Sequence, residues 1–415
     1  MNNYVIVLGA GRGQIPVMEL CHQYGYSVIA VSPKGNYPGF QVADISLFED
    51  VKNKEAVLKF AREYNIKGIL TDQLDEGVPT AAYVSEKMNL NGIAYDVSLK
   101  FTNKFLMRKA AETAGITVPK SFVAKEIETA FETINGDKDF TYPLIIKPVD
   151  SSASRGIHII RESKDLSDCF ADCKSYSKSG DVIIEQFIVG KEFVVDAFTK
   201  DYQVKNLIVG HRDYFNIPDT FIPNATVFLD ADSAVSPIEE KIKEINEKLI
   251  QEFGLKFGIT HAEYLYAEET NTVYLVEIAA RGGGVFISSD LIPAACGVNA
   301  NDLLVREVLG LHNEKDIFLK SGASAYFCYL VPEGEIISIR NTDKIDNISG
   351  VRKAFFDNIA VGMHTKSIRD KSSRKGPILI SGRTKEDCYT VIEKVKQSME
   401  IKVKTRNGIE NIIWG

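Results

Sequence analysis

The sequence predicts a chain that begins as an α/β domain and turns to α+β structure further on. Three observations carry this. Short apolar runs at residues 3–9, 27–31 and 67–71 alternate with helix-like stretches at 15–24, 54–64 and 77–88, the βα pattern of a parallel sheet covered on both faces. Near residue 98 that alternation stops, and a helical stretch, Asn103–Gly115, ended by its glycine, opens a region of different order. The chain has 415 residues, too many for one ordinary core, so two or three domains are expected.

Composition narrows the partners. The chain is 45% hydrophobic and 25% charged, as a globular protein is, and its formal charge of −7 with no basic cluster argues against nucleic acid. The start lacks a basic segment followed by a cleavage site, and no apolar run approaches the roughly 18 residues of a membrane helix, so a cytoplasmic protein without membrane attachment is expected. The six cysteines form no CxxC pair; Cys169 and Cys173 share a helical-looking stretch, and reduced thiols are the ordinary reading.

In chain order, the first strand runs into the glycine turn Gly9-Ala-Gly-Arg-Gly13. A dinucleotide fingerprint would need glycine where Gln14 stands and an acidic residue where Ser32 ends the second strand, so the turn is structural or lies near a substrate. The third strand ends in Thr71-Asp-Gln-Leu-Asp-Glu-Gly77. Asp75 and Glu76 there either face a ligand beyond the strand ends or cap the next helix. After Pro119 comes a buried strand, Tyr142–Pro148, carrying Lys147, a residue rarely buried without a partner. The small polar run Val149–Gly156 and the strand Ile157–Ile160 make a flap whose amides and hydroxyls suit phosphate oxygens. A strand ending near Glu185, an extended link through Gln186 and Ile188, and a strand from Lys191 offer a frame for adenine, with Glu192 placed for ribose hydroxyls. Residues 202–234 read as irregular and aromatic, His211–Phe215 among them as a lid or substrate contact. Residues 235–253 read as an amphipathic helix with a solvated charged face.

Two runs then carry one carboxylate each. His261-Ala-Glu-Tyr-Leu-Tyr-Ala267 and Leu275-Val-Glu-Ile-Ala-Ala-Arg-Gly-Gly-Gly284 are separated by a polar turn sequence. Folded back about Thr270, they place Glu263 opposite Glu277 and His261 opposite Ala279. Facing like charges are destabilising unless a cation lies between them, and hard oxygens suit magnesium, which takes one or two carboxylates plus substrate phosphates. A loop and helix at 285–296, a helix at 301–309 ended by Gly310, and a linker at 311–321 follow. The tail of strands (323–330, 377–381) and one helix (385–398) shows no chemistry of its own.

The order of these parts resembles the ATP-grasp superfamily, and within it the carboxylate–amine ligases of the L-amino acid ligase-like branch; no GxxxxGK[ST] occurs. The resemblance implies an N-terminal Rossmann-like domain (1–98), a two-subdomain ATP-grasp domain (99–311, flap subdomain about 115–185) and a small α+β C-terminal domain (312–415). It implies ATP and Mg2+ (or Mn2+) as cofactors, small-molecule carboxylate and amine substrates, and a homodimer. Lys104 and Lys147 would contact the phosphates, Lys147 lying also near adenine. Ser151, Ser152, Ser154 and Gly156 would form the flap, Glu185, Gln186 and Ile188 the adenine frame, and Glu192 the ribose contact. Glu263 and Glu277 would bind the metal, and Arg281 would stabilise the phosphoryl intermediate with Lys147. The amides of Gly282, Gly283 and Gly284 would approach the acyl phosphate. Asp75, Glu76 and Arg212 are candidate substrate contacts, although a surface arginine is the ordinary reading of Arg212. One position departs: the family's asparagine two residues after the second metal glutamate is Ala279, which cannot ligate. Rival readings are another ATP-grasp reaction, such as carbamoyl phosphate synthesis or carboxylation, or a non-catalytic nucleotide-binding protein.

Overall fold

The computed structural model describes residues 3–151, 155–218, 220–312 and 316–415. Strands β1 (Tyr4–Leu8), β2 (Ser27–Ser32), β3 (Ile45–Phe48) and β4 (Gly68–Leu70) form a parallel sheet of order β3-β2-β1-β4. Helix α1 (Ile15–Gln23) joins β1 to β2, α2 (Lys54–Glu63) joins β3 to β4, and α3 (Val78–Met88) follows β4. β1 and β2 are buried almost throughout because both sheet faces are covered, which is why they read as unbroken apolar runs. β3 was not expected: its four residues, only partly buried at the sheet edge, carry little apolar signal.

Helix α4 (Tyr95–Lys100) leads to α5 (Lys104–Thr113), whose start is fixed by Asn103 Oδ1 accepting from the amides of Phe105 and Leu106. A small separate sheet, the flap sheet, follows. Strands β5 (Ser121–Ala124), β6 (Leu144–Pro148), β7 (His158–Ile160) and β8 (Val182–Gln186) pair antiparallel in the order β5-β8-β6-β7. Helices α6 (Ile127–Gly136) and α7 (Leu166–Ser175) pack Ala130, Ile134, Phe170 and Cys173 against Ile146, Val182 and Ile184.

The rest of the chain builds one large sheet and one small one. The large one holds β9 (Lys191–Lys200), β10 (Gln203–Tyr214), β11 (Pro223–Asp230), β12 (Gly258–Ala267) and β13 (Thr272–Ala279), with α8 (Pro237–Phe253) between β11 and β12. Residues 202–234 are therefore not irregular but mostly a long antiparallel pair. Its middle, Asn206–Gly210, is buried and lacks alternation, while His211-Arg-Asp213 gives its end a loop-like composition. After α9 (Ile292–Cys296) and α10 (Ala300–Leu309), strands β14 (Ala323–Leu330), β16 (Val351–Ala354) and β18 (Arg374–Gly382) continue the same sheet, whose order is β13-β12-β9-β10-β11-β14-β18-β16. Strands β15 (Gly334–Arg340), β17 (His364–Thr365), β19 (Glu400–Thr405) and β20 (Gly408–Asn411) form a separate sheet, with α11 (Lys385–Ser398) preceding β19. The C-terminal segment thus shares a sheet with the middle of the chain. The charges of α8 are not all solvated: Glu239 is buried and meets His211 (3.0 Å) and Lys385 of α11 (3.0 Å). Among the described residues no helix is long and apolar enough to cross a membrane.

Candidate active site

The β12–β13 hairpin has the expected register where it matters. Glu263 faces Glu277 and His261 faces Ala279. Nearer the turn the pairing is one residue off, Tyr264 facing Leu275, and a bulge at Val276 restores it. The Val276 carbonyl accepts from Arg108 Nη2 at 2.8 Å. Each carboxylate of the facing pair has a cation: Lys104 Nζ lies 2.9 Å from Glu277, and Arg212 Nη1 lies 2.6 Å from Glu263 while also binding Glu192. Arg212 is therefore a buried bridge between the expected ribose and metal glutamates, not a surface group. Burial pushes the Glu263 carboxyl up, but Arg212, with Lys371 and His261, overrides this and holds it well below the usual range. The Tyr214 hydroxyl also donates to Glu192.

These groups line a cavity of about 410 Å³ between the flap sheet and the large sheet. Lys104, Lys147, Ser151, Glu185, Gln186, Ile188, Glu192, Glu263 and Glu277 all reach it. At one wall, fully buried Glu185 receives Arg108 Nε (2.7 Å) and Lys147 Nζ (2.5 Å). Burial raises its pKa, and the two cations outweigh that, bringing it to about 2. Gln186 spends its side-chain amide on the Thr141 backbone (2.9 and 3.1 Å), and its N–H goes to the Lys120 carbonyl, so it shapes the wall rather than offering its amide to adenine. In the flap, the Ser151 carbonyl accepts from Lys104 (3.0 Å). Ser152 and Ser154 lie outside the described residues. Gly156 has φ +69°, and a side chain there would strike the Tyr176 ring at 2.8 Å; its neighbours Arg155 and Ile157 line the cavity.

The glycine run faces the N-terminal domain. Arg281 makes a two-pronged pair with Asp75 (2.8 and 2.9 Å) and also donates to the Gly282 carbonyl. Buried Asp72 accepts from the Gly282 amide (2.9 Å) and the Ser288 hydroxyl (2.5 Å). The Gly282 amide is thus engaged inside the protein, which corrects its expected use for an acyl phosphate. A Cβ at Gly282 would sit 2.4 Å from both Asp72 Oδ1 and Ser288 Cβ, and one at Gly283 would meet the His261 ring at 2.6 Å, whereas Gly284 is open. Gly282→Ala is accordingly expected to cost about 1–3 kcal/mol of stability by chemical denaturation, and an unchanged midpoint would contradict the packing described. Gln73 (φ 56°), Val285 (φ 56°) and Phe286 (φ 61°) all adopt left-handed backbone here, and the Phe286 amide donates to Gln73 Oε1. Glu76 instead pairs with Lys52 (2.8 Å), away from the cavity, so of the two acids only Asp75 meets the glycine run.

The donor set suits a hard cation completed by a ligand. Among the described residues no group of three or more His, Cys, Asp or Glu is placed to hold a metal. Ala279 adds no ligand. His261 is turned to Asp196 through Nδ1 (3.0 Å), with Nε2 3.7 Å from Glu263. Among the described residues Arg108 Nη1, at the cavity wall, and Arg212 Nε, behind Glu192 and Glu263, are buried donors without a partner. Sequence reasoning missed Arg108, although it stands four residues after Lys104 on one helix face. It also missed Lys371, which becomes a neighbour only through the tertiary fold, whereas Asp72 and Tyr214 fell inside segments read as candidate substrate contacts (72–76 and 211–214).

A cavity lined by the two facing carboxylates and by two buried lysines has the charge to suit a magnesium-bound nucleotide. Residues 140–290 match the family model described as an ATP-grasp domain. That stretch is similar to the ATP-grasp domain, and it spans the flap strand β6, the strands β9–β13 and the glycine run. It is 28% identical over 186 residues to a formate-dependent phosphoribosylglycinamide formyltransferase of Wolinella succinogenes, covering 44% of this chain and 47% of that one. It is 27% identical over 394 residues to the protein of the same name from Parabacteroides distasonis, covering 87% and 89%. The chain thus spans about half of the first relative and most of the second. The fold is also that of the L-amino acid ligase from Bacillus licheniformis, with a TM-score of 0.80 over 97% of this chain and 99% of that one at 18% identity.

Proposed function

We propose that the protein joins a small-molecule carboxylate to an amine through an acyl phosphate. One substrate carboxylate oxygen bonds to the γ-phosphorus of ATP as ADP leaves. The amine then bonds to the acyl carbon, and phosphate departs with that oxygen. The observation that carries the reading is the facing pair Glu263 and Glu277 at the end of the cavity that Lys104 and Lys147 line. Those two carboxylates would hold Mg2+, or Mn2+ through the same oxygens, and the ion would neutralise phosphate charge. Lys147 would bind the phosphates, and Arg281, held by Asp75, would offset charge on the transferred group. Cations by the glycine run come with carboxylates: Arg281 with Asp75, Lys353 with Asp290 (2.7 Å), and Arg12 with Asp357. Balanced charge of this kind suits an amino acid, which brings one charge of each sign, better than a phosphorylated substrate. The same reading carries a cytoplasmic location and a homodimer, the latter checked by sedimentation velocity.

The test is ADP and phosphate release from Mg-ATP with pairs of amino acids, alongside formate plus phosphoribosylglycinamide. The expected result is ADP and phosphate in equal amounts, dependent on both members of an amino-acid pair. Turnover with formate and phosphoribosylglycinamide alone would overturn the substrate assignment. ADP formation that ignores every amine would overturn the ligase reaction.

A further inference from the structure

One wall of the cavity is supplied by the far end of the chain. Residues 371–373 form a single tight turn begun by Asp370, whose Oδ1 accepts from the Ser372 amide (2.7 Å). The turn is seated on the tip of the β10–β11 pair. Arg374 donates to the Lys371 carbonyl (3.2 Å) and to the Pro223 carbonyl (3.4 Å), and Ile368 packs against the cluster of Phe215, Ile222 and Leu330. Thr220 and Phe221 of that tip line the cavity, and Lys371 stands in the same lining with Glu192, Tyr214 and Glu263.

The charges of this wall do not close on themselves. Lys104 is paired with Glu277 and Lys147 with Glu185, while Glu192 and Glu263 both bind Arg212. Lys371 faces Glu263, Arg212, Glu192 and Arg374, yet among the described residues no carboxylate comes within ion-pairing distance of its ammonium. Burial and the two arginines press its pKa down, and the nearby Glu263 and Glu192 offset this only in part.

We propose that Lys371 binds the phosphate chain of the nucleotide at the end nearest the ribose, so that the C-terminal segment completes the ATP site. This rests on the reading that the cavity takes Mg-ATP. Its position follows from its neighbours: Glu192 is the ribose candidate and Glu263 the metal candidate, and Lys371 lines the same cavity as both. An ammonium there meets phosphate oxygens and does not reach adenine, which lies by Gln186 and Ile188.

The test uses the full-length protein and calorimetric titration with adenosine, AMP, ADP and ATP in the presence of Mg2+. Lys371→Gln is expected to weaken AMP, ADP and ATP about tenfold and to leave adenosine unchanged, and Lys371→Arg is expected to restore most of the loss. An equal loss for adenosine would show that the lysine acts only through the shape of the wall, and unchanged ATP affinity in Lys371→Gln would show that it does not touch the phosphates; either overturns the inference. If the unaltered protein bound neither ADP nor ATP, the reading of the cavity would fall, and this inference with it.

Discussion

Replacing Glu277 by glutamine is expected to lower turnover about 10³-fold, about 4 kcal/mol of transition-state stabilisation, with the fold intact. Glu277 sits directly opposite Glu263, and glutamine keeps its shape and an oxygen for Lys104 at the 2.9 Å contact now made by Oε1. It removes the negative charge needed to share a divalent ion with phosphates. ADP formation would be measured beside the unfolding midpoint and beside a Mg2+ titration of nucleotide binding. The variant should lose the Mg2+ dependence and keep its midpoint. Ordinary turnover in Glu277→Gln would remove this residue from the metal site and with it the main support for the proposed chemistry.

Arg108→Met is expected to be the most destabilising single change at the site, costing about 3–5 kcal/mol. Both members of the Arg108–Glu185 pair are almost fully buried, with side-chain exposures of 2% and 1%. Methionine would leave the carboxylate with Lys147 alone in a place water does not reach. The pH dependence has a definite sign. Burial raises the Glu185 pKa, but Arg108 and Lys147 more than reverse it, taking it from 4.5 to about 2 on folding. A carboxyl lowered on folding stabilises the protein above its unfolded pKa, and this is lost as pH falls from 4.5 toward 2. The shift corresponds to about 3 kcal/mol. In Arg108→Met that acid-side loss should shrink and be complete at a higher pH, because the folded-state pKa moves back toward 4.5, which urea titrations at a series of pH values would follow. An acid limb unchanged by the substitution would contradict the coupling.

The hairpin shows what a single chain makes legible. The facing of Glu263 and Glu277 follows from the period of two along strands and a central turn, both local properties, and the bulge at Val276 absorbs the one error near the turn. The N-terminal strands were legible because both their faces are buried; β3 was not, being an exposed edge of four residues. β10 and β11 were hidden for a different reason, since the polar run His211-Arg-Asp213 ends in ion pairs that exist only after folding. Arg212 shows this most plainly: its charge argues for solvent, and only two glutamates from β9 and β12 make burial affordable. Lys371 follows Glu277, the nearest preceding residue of the cavity lining, by more than ninety residues, so no spacing rule could join it to the nucleotide wall.

The measurement that bears most directly on the proposed reaction follows the substrate oxygen. The protein would be incubated with Mg-ATP and amino acids labelled with 18O in their carboxylates, and the released phosphate analysed by mass. An acyl phosphate requires phosphate carrying one 18O from the carboxylate, formed together with ADP. Unlabelled phosphate beside ADP, or AMP and pyrophosphate in their place, would contradict the account.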